Sequence, residues 1–371
     1  MNIAARLQGM RPSPVRMLSE GAPADAISLG LGEPTWNMPK AAEQALKQFS
    51  GVCGYGHNQG LPELRRALGQ YYGTDADHVL VTSGSQAGLY ALLHAFTGPG
   101  DAVLIPDPGF VAYPGISQLT GATVIRYRLN RANRFRLEAR TLLTELENPA
   151  VKAVVLNHPG NPTGAGAPES ELRVVARACK EKGLLLISDE VYRDLYFGER
   201  PLSLRDVSDY GVVVSSLSKA WGSPGLRVGW AIGDPAIIQP ARTIHSYMVT
   251  GVSVPAQKAA IALLENSTPV HAEARHELSS RWEALYTALK QYAGITPEKP
   301  DGAFYYWVEL PEDGKADPLA YCLKLRDEAK VILVPGFLFG EAGKQHVRLS
   351  FAAFPDQVTE GIRRLAPYWR K

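Results

Sequence analysis

Short apolar runs separated by helical stretches constrain this chain more than any other feature of it. Residues 78–82, 102–105, 123–129, 153–157, 184–188 and 212–215 read as strands. Between most of them lie stretches with the helical repeat, such as Leu89, Leu92, Leu93 and Phe96. Strands of largely apolar residues alternating with helices predict an α/β fold, with a mainly parallel sheet covered on both faces. In such sheets ligands bind at the C-terminal ends of the strands. The polar clusters discussed below each follow or end a predicted strand.

Beyond about residue 235 the alternation lapses. Two helical stretches follow, the second spanning 271–292. A strand then ends in Tyr305-Tyr306-Trp307, ahead of a helix near 318–330, strands at 331–334 and 347–351, and a last helix. This less regular order predicts a smaller α+β domain. The expected division is a large domain over 36–265 and a small domain built from 266–371 plus residues 1–35, which carry an N-terminal arm and one short strand.

The run Val212-Val213-Val214 leads into Ser216-Leu217-Ser218-Lys219-Ala220-Trp221-Gly222-Ser223-Pro224-Gly225-Leu226-Arg227. A buried lysine is costly unless paired or used. Burial and a nearby cation such as Arg227 lower the pKa of an amine, which favours Schiff-base chemistry. Ser216-x-x-Lys219 also fits the motif of acyl-transferring serine enzymes, but the Ser-Asp-Asn and Lys-Thr-Gly elements that accompany it are missing. Gly30-x-Gly32 begins a dinucleotide fingerprint that lacks its third glycine at 35.

Composition narrows the field further. The chain has 371 residues and a formal net charge of +2, which gives no reason to expect nucleic acid or an anionic membrane as a partner. No apolar run approaches the roughly 20 residues that span a bilayer, and the N-terminus lacks the apolar core of a secretory signal. Cys53, Cys179 and Cys322 have neither metal nor disulfide spacing. A reducing cytoplasm is the expected compartment, with no metal site.

Four more clusters follow strands. Ser83-Gly84-Ser85-Gln86 stands between a strand and a helix, as either an anion-binding turn or a simple N-cap. Asp189 ends a buried strand, where a carboxylate needs a cationic or hydrogen-bonding partner; a protonated ring nitrogen, a helix cap or Mg²⁺ would each serve. Asn157-His158-Pro159-Gly160-Asn161-Pro162-Thr163-Gly164 is a rigid loop that can aim Asn161 inward. Phe110 can stack on a flat ring or fill the core. Arg348, between apolar neighbours on a strand, is a carboxylate clamp if it faces inward and an ordinary edge residue if it faces water.

From about Gly32 to Phe351 the chain resembles fold-type I pyridoxal-phosphate enzymes of the class I/II aminotransferase family, whose fold is of the aspartate aminotransferase type. The resemblance is carried by Ser216-x-x-Lys219-x-x-Gly222-x-x-Gly225-x-Arg227-x-Gly229, by Asn161-Pro162-Thr163-Gly164 and by Asp189-Glu190-Val191-Tyr192. It implies an aminotransferase of amino-acid metabolism that moves an amino group from an L-amino acid to a 2-keto acid by a ping-pong route. Lys219 would be the Schiff-base lysine and proton shuttle. Asp189 would face the pyridinium nitrogen, Tyr192 and Asn161 the ring oxygen, and Phe110 the ring face. Ser83, Gly84, Ser85 and Gln86, completed by Ser216 and Arg227, would hold the phosphate. A tyrosine placed like Tyr55 reaches the phosphate of the neighbouring subunit, which implies a homodimer with shared active sites. Arg348 would bind the substrate α-carboxylate, with Gly32 and Asn161 close by.

Phe110 stands where many family members carry Tyr or Trp, and His158 where smaller residues are usual. Trp36 and Tyr305-Tyr306-Trp307 either line a side-chain pocket suited to apolar or aromatic substrates or pack in the core. The same fold and lysine also serve lyase, synthase or cyclase chemistry such as β-elimination or ring closure, and a non-catalytic module that only binds the cofactor is the remaining reading.

Overall fold

The apolar runs form a seven-stranded sheet whose strands are buried on both faces, except for the half-exposed edge strand Thr123–Arg128. The structure, a computed structural model, describes residues 3–10, 15 and 18–369. A two-residue strand β1 (Ile27–Ser28) comes first, followed by β2 (Val79–Thr82), β3 (Ala102–Asp107), β4 (Thr123–Arg128) and β5 (Val151–Asn157). Next come β6 (Leu185–Asp189), β7 (Val212–Ser216) and β8 (Gly229–Ile232). The spatial order of the large sheet is β2-β8-β7-β6-β5-β3-β4. Its pairings are parallel from β4 through β7, and β8 alone runs against both of its neighbours.

Alternation along each strand feeds two separate cores. Val81, Leu104, Val154, Leu156, Leu186 and Val213 pack on one face. Leu80, Val103, Ile105, Ala153, Val155, Ile187, Val212 and Val214 pack on the other. All are essentially fully buried, and each buried Val, Leu or Ile stabilises by about 1.5–3 kcal/mol. The two-faced burial explains why period-2 polarity is absent from these runs.

Most predicted strands fall where the sequence places them, but the strand expected to end in Tyr305-Tyr306-Trp307 instead begins at Tyr305 and runs to Glu309, and one strand was omitted. Strand β8 lies directly after the glycine-rich lysine loop and was not expected. It folds that loop back, so that Ser216 pairs with Gly229 in register. The remaining strands are β9 (Tyr305–Glu309), β10 (Val331–Ile332), β11 (Val334–Pro335) and β12 (His346–Ser350). Residues 331–335 are therefore two strands: β10 pairs with β1, whereas β11 joins β12 and β9 in a three-stranded antiparallel sheet. The helix Ser267–Ala288 packs on the last helix, Pro355–Trp369. Among the described residues no helix is long and apolar enough to cross a membrane, and no group of His, Cys, Asp and Glu is arranged to hold a metal ion.

Candidate active site

Strand ends converge on one cavity of about 350 Å³, lined by Gly32, Ser85, Gln86, Phe110, Asn161, Asp189, Tyr192, Lys219, Arg227 and Arg348 among others. These positions lie far apart in the chain, and the sheet order brings them together. Asp189 and Asn157 end adjacent strands in register, and Lys219 follows β7 by three residues.

Lys219 is half-buried, and its Nζ donates to the backbone oxygen of Gly32. Burial lowers its pKa from 10.5 to about 8, with the cation of Arg348 acting in the same sense; Glu33 and Asp189 oppose. At neutral pH a useful fraction of such an amine is unprotonated. The Nζ also lies 5.6 Å from the ring centres of both Tyr192 and Phe304.

Asp189 is buried at the end of β6. Its Oδ2 accepts from the Tyr113 hydroxyl at 2.8 Å. Burial pushes its carboxyl up to about 6; the Tyr113 and Val191 hydrogen bonds and the charge of Lys219 recover part of that. Tyr113 sits on the helix Ala112–Thr120, three residues after Phe110, whose ring meets the tyrosine ring edge-on at 5.5 Å. Tyr113 went unrecognised in the sequence, although it stands only three residues beyond Phe110, its amide donating to the Phe110 oxygen across the start of the helix.

Arg348 is buried in β12, facing inward. Its Nη1 donates to Asn161 Oδ1 at 2.8 Å and its Nη2 to the backbone oxygen of Gly30. The guanidinium lies over the Tyr305 and Phe339 rings, at 4.4 and 4.8 Å from their centres. Its Nε is buried without a hydrogen-bond partner and each Nη keeps a second N–H, so three of the five guanidinium donors are unused. The Tyr192 and Tyr305 hydroxyls share a hydrogen bond of 2.7 Å. Any side chain at position 32 would collide with the Tyr305 hydroxyl, so the arm passes this point only as glycine.

At the opposite end of the cavity the helix Ser85–Phe96 begins. Its first-turn amides have no intrahelical acceptor and carry the positive end of the helix dipole. Gly84, in a left-handed conformation at φ 78°, packs directly under the Arg227 guanidinium, leaving no room for a Cβ. Arg227 Nη1 donates to Ser218 Oγ and to the Pro224 oxygen.

Four expected residues do not line the cavity. Ser83 gives its backbone N–H to His245, and Gly84 serves as the packing floor for Arg227. Ser216 is turned inward, its Oγ accepting from the Ser218 amide, while Ser218 itself lines the cavity. Tyr55 is 81% exposed. Of the aromatic cluster, Tyr305 alone lines this cavity; Tyr306 and Trp307 line a separate groove with Arg131 and His346. Trp36 packs edge-on against Phe304 and under Arg281.

Residues 24–365 match the family model described as aminotransferase class I and II. An aspartate aminotransferase of Pyrococcus horikoshii is 30% identical, with 98% of this chain and 96% of that protein covered. The arginine–pyruvate transaminase of Pseudomonas aeruginosa is also 30% identical, over 92% and 89% of the two chains. Among solved structures, the aspartate aminotransferase of Thermus thermophilus with maleate is similar at a TM-score of 0.91 and 28% identity, over 99% and 100% of the chains. The chain belongs to the class I and II aminotransferases, a family of pyridoxal-phosphate-dependent transferases.

Proposed function

We propose that this cavity binds pyridoxal phosphate and transfers the α-amino group of an L-amino acid to a 2-keto acid in two half-reactions. The observation that carries the reading is Lys219: a half-buried amine, its pKa lowered by its enclosure and by Arg348, in one cavity with the buried carboxyl of Asp189 and the buried guanidinium of Arg348. The residues present fit the cofactor. Asp189 has neutral hydrogen-bond donors and a carboxyl raised by burial, so a cationic ring nitrogen would stabilise its charge. Arg227 and the helix N-terminus offer an anion site, with Gly84 beneath it and Ser83 and Ser216 in its supporting turns.

Pyridoxal phosphate, when bound, supplies an electron-withdrawing ring that delocalises negative charge from the substrate α-carbon. The protein does the rest. Arg348 takes the substrate α-carboxylate, oriented by Asn161 and by the Tyr305 and Phe339 rings beneath it. Lys219 Nζ, released from the Gly32 oxygen, is placed to take the α-proton and would deliver it to the cofactor carbon on the other side of the amino nitrogen, a 1,3-transfer. Asp189, held by Tyr113, keeps the ring nitrogen protonated. Tyr192 and Asn161 hold the ring oxygen, and Phe110 covers the ring face.

The wall left for the substrate side chain includes Val15, Leu31 and Val111, with Glu33 as a carboxylate beside Leu31 that would repel an acidic side chain. Among the described residues the cations lining the cavity are Lys219, Arg227 and Arg348, and each has another task here. Donors with uncharged, apolar side chains therefore fit best. The protein is a cytoplasmic homodimer in this reading. A second copy would cover exposed Val52, Tyr55 and Tyr247 and receive Tyr55 at its phosphate. The large domain spans 36–265, the small one 266–371 with residues 1–35.

The test is a panel of L-amino acids given to the cofactor-loaded protein with a 2-keto acid acceptor. Leucine or phenylalanine should yield keto acid and new amino acid in equal amounts, with kcat/KM at least about tenfold above that for aspartate. Ammonia release without an acceptor, or no keto acid from any donor, would refute transamination; preference for aspartate would refute only the side-chain reading.

A further inference from the structure

A second polar group lies behind Asp189, on the other face of the sheet, and the chemistry above leaves it unused. Strand alternation turns Asp189 toward the cavity and sends Ser188 and Glu190 the other way. Asn157 and Asp189 are paired in register in this parallel pair, so His158, one residue further, falls beside Glu190 and on the same face as Ser188. His158 Nε2 lies 3.0 Å from Ser188 Oγ. That hydroxyl donates to Glu190 Oε1 at 2.9 Å, which also accepts from the Leu204 amide at 2.8 Å. All three side chains are buried, Ser188 completely.

The directions of these bonds follow from counting hydrogens. With Glu190 ionised, as it is above about pH 7, the one hydroxyl hydrogen of Ser188 goes to its carboxylate. Ser188 Oγ must then accept from His158, which places the imidazole proton on Nε2. Consistently, Nδ1 is buried without a partner, and burial lowers the His158 pKa to about 4, keeping the ring neutral. A Ser–His–acid set suggests a hydrolase, but a nucleophilic serine must donate to its histidine. Here the serine accepts, and it has no exposed surface.

What the group touches is the backbone that presents the site. The His158 amide donates to the Asp189 oxygen at 3.3 Å, and Asn157 Nδ2 donates to the same oxygen at 3.0 Å. Asn157 Oδ1 in turn accepts from the Asn161 amide at 2.8 Å. We propose that His158 is a positioning residue which, through Ser188 and Glu190, locks the ends of β5 and β6 so that Asn161 and Asp189 face one cofactor. This inference rests on the proposed cofactor site.

The test uses His158→Leu, His158→Gln and Ser188→Ala. For each, pyridoxal phosphate is titrated into the apoprotein to give a dissociation constant and the position of the visible band, and the apoprotein melting temperature is measured separately. His158→Leu and Ser188→Ala should weaken cofactor binding about tenfold and shift the band, while His158→Gln, which keeps an N–H donor near Nε2, should stay within about threefold of the parent. Binding by His158→Leu at the parent's strength would overturn the proposal. So would equal losses in His158→Leu and His158→Gln that track the melting temperature with an unshifted band. If the parent protein itself fails to take up pyridoxal phosphate, the cofactor site falls first, and the positioning role with it.

Discussion

Asp189 and Asp194 are five residues apart, both buried, and they behave in opposite ways. Burial pushes each carboxyl up. For Asp194, His271, Arg200 and Arg193 more than reverse this and leave it below the usual carboxylate range. Burial keeps His271 neutral, so the weight falls on Arg200, whose Nη2 sits 2.6 Å from Oδ1. Tyr71 donates to the other oxygen at 3.1 Å. Asp189 has no such guanidinium, and its carboxyl stays raised at about 6. One carboxylate is complete within the protein; the other is complete only with a cationic ligand. A perturbed buried acid marks function where its own chain leaves it short of a partner.

The largest effect expected is from Lys219→Ala, which should lower turnover by at least about 10³-fold, measured as keto acid formed per enzyme. Retained turnover would remove the lysine from the mechanism. The paired substitutions Asp189→Asn and Asp194→Asn then break the comparison itself. Asp189→Asn should cut kcat/KM by about 10²–10³-fold yet stabilise the apoprotein at neutral pH by up to roughly 3 kcal/mol. Asp194→Asn should leave kcat within about twofold and destabilise by roughly 2 kcal/mol, the loss of charge-assisted hydrogen bonds. Chemical denaturation of the four proteins (parent, both single variants and the double) reads both signs.

Arg348→Lys loses the planar fork and should raise the donor KM about tenfold with little change in kcat. The pH dependence sharpens the contrast further. Asp189 binds its proton more tightly folded than unfolded, so its contribution to apoprotein stability falls as pH rises from about 4 to about 6. Lys219 is the reverse: the unfolded chain holds more protons between about 8 and 10.5, so stability rises with pH across that window. The buried histidines His158, His245 and His346 pull the whole-protein curve the other way below about pH 6.5, so the readout is a difference: the stability gained by Asp189→Asn over the parent should grow as pH rises from about 4 to about 6, and that gained by Lys219→Met should shrink between about 8 and 10.5. The smallest effect is from Tyr113→Phe, which should weaken cofactor affinity about two- to tenfold by removing one neutral donor to Asp189.

Much of the fold was legible because both faces of the sheet are covered, which writes continuous apolar runs into the chain. Lys219, Asp189 and Asn161 were legible because each follows or ends such a run. Strand β8 was not, since Gly229-Trp230-Ala231-Ile232 is short and begins inside a glycine-rich motif whose chemistry masks its strand character. Tyr113 was not, because its partner lies 76 residues away and a helical tyrosine beside apolar residues looks like any core aromatic. Tyr305, Tyr306 and Trp307 read as one cluster, yet consecutive strand residues point to opposite faces. Alternation turns Tyr306 away from Tyr305, while Trp307 shares the face of Tyr305 but lies further along the strand, stacked on His346 in the separate groove. The inward turn of Ser216 depends on the reversal made by β8, which local sequence does not announce.

The contacts that bring Lys219 to Gly32 and Arg348 to Asn161 each close a loop of 187 sequence positions, and that from Arg348 to Gly30 closes 318. Contacts of such separation form after local ones, since chain entropy must be lost before they stabilise anything. During synthesis the large sheet has all its strands once Ile232 has emerged, whereas the carboxylate clamp waits for more than a hundred further residues. A nascent or truncated chain ending before β12 would hold the reactive amine without the group that selects its substrate. Assembly order thus keeps the amine without a substrate clamp until the protein is nearly finished.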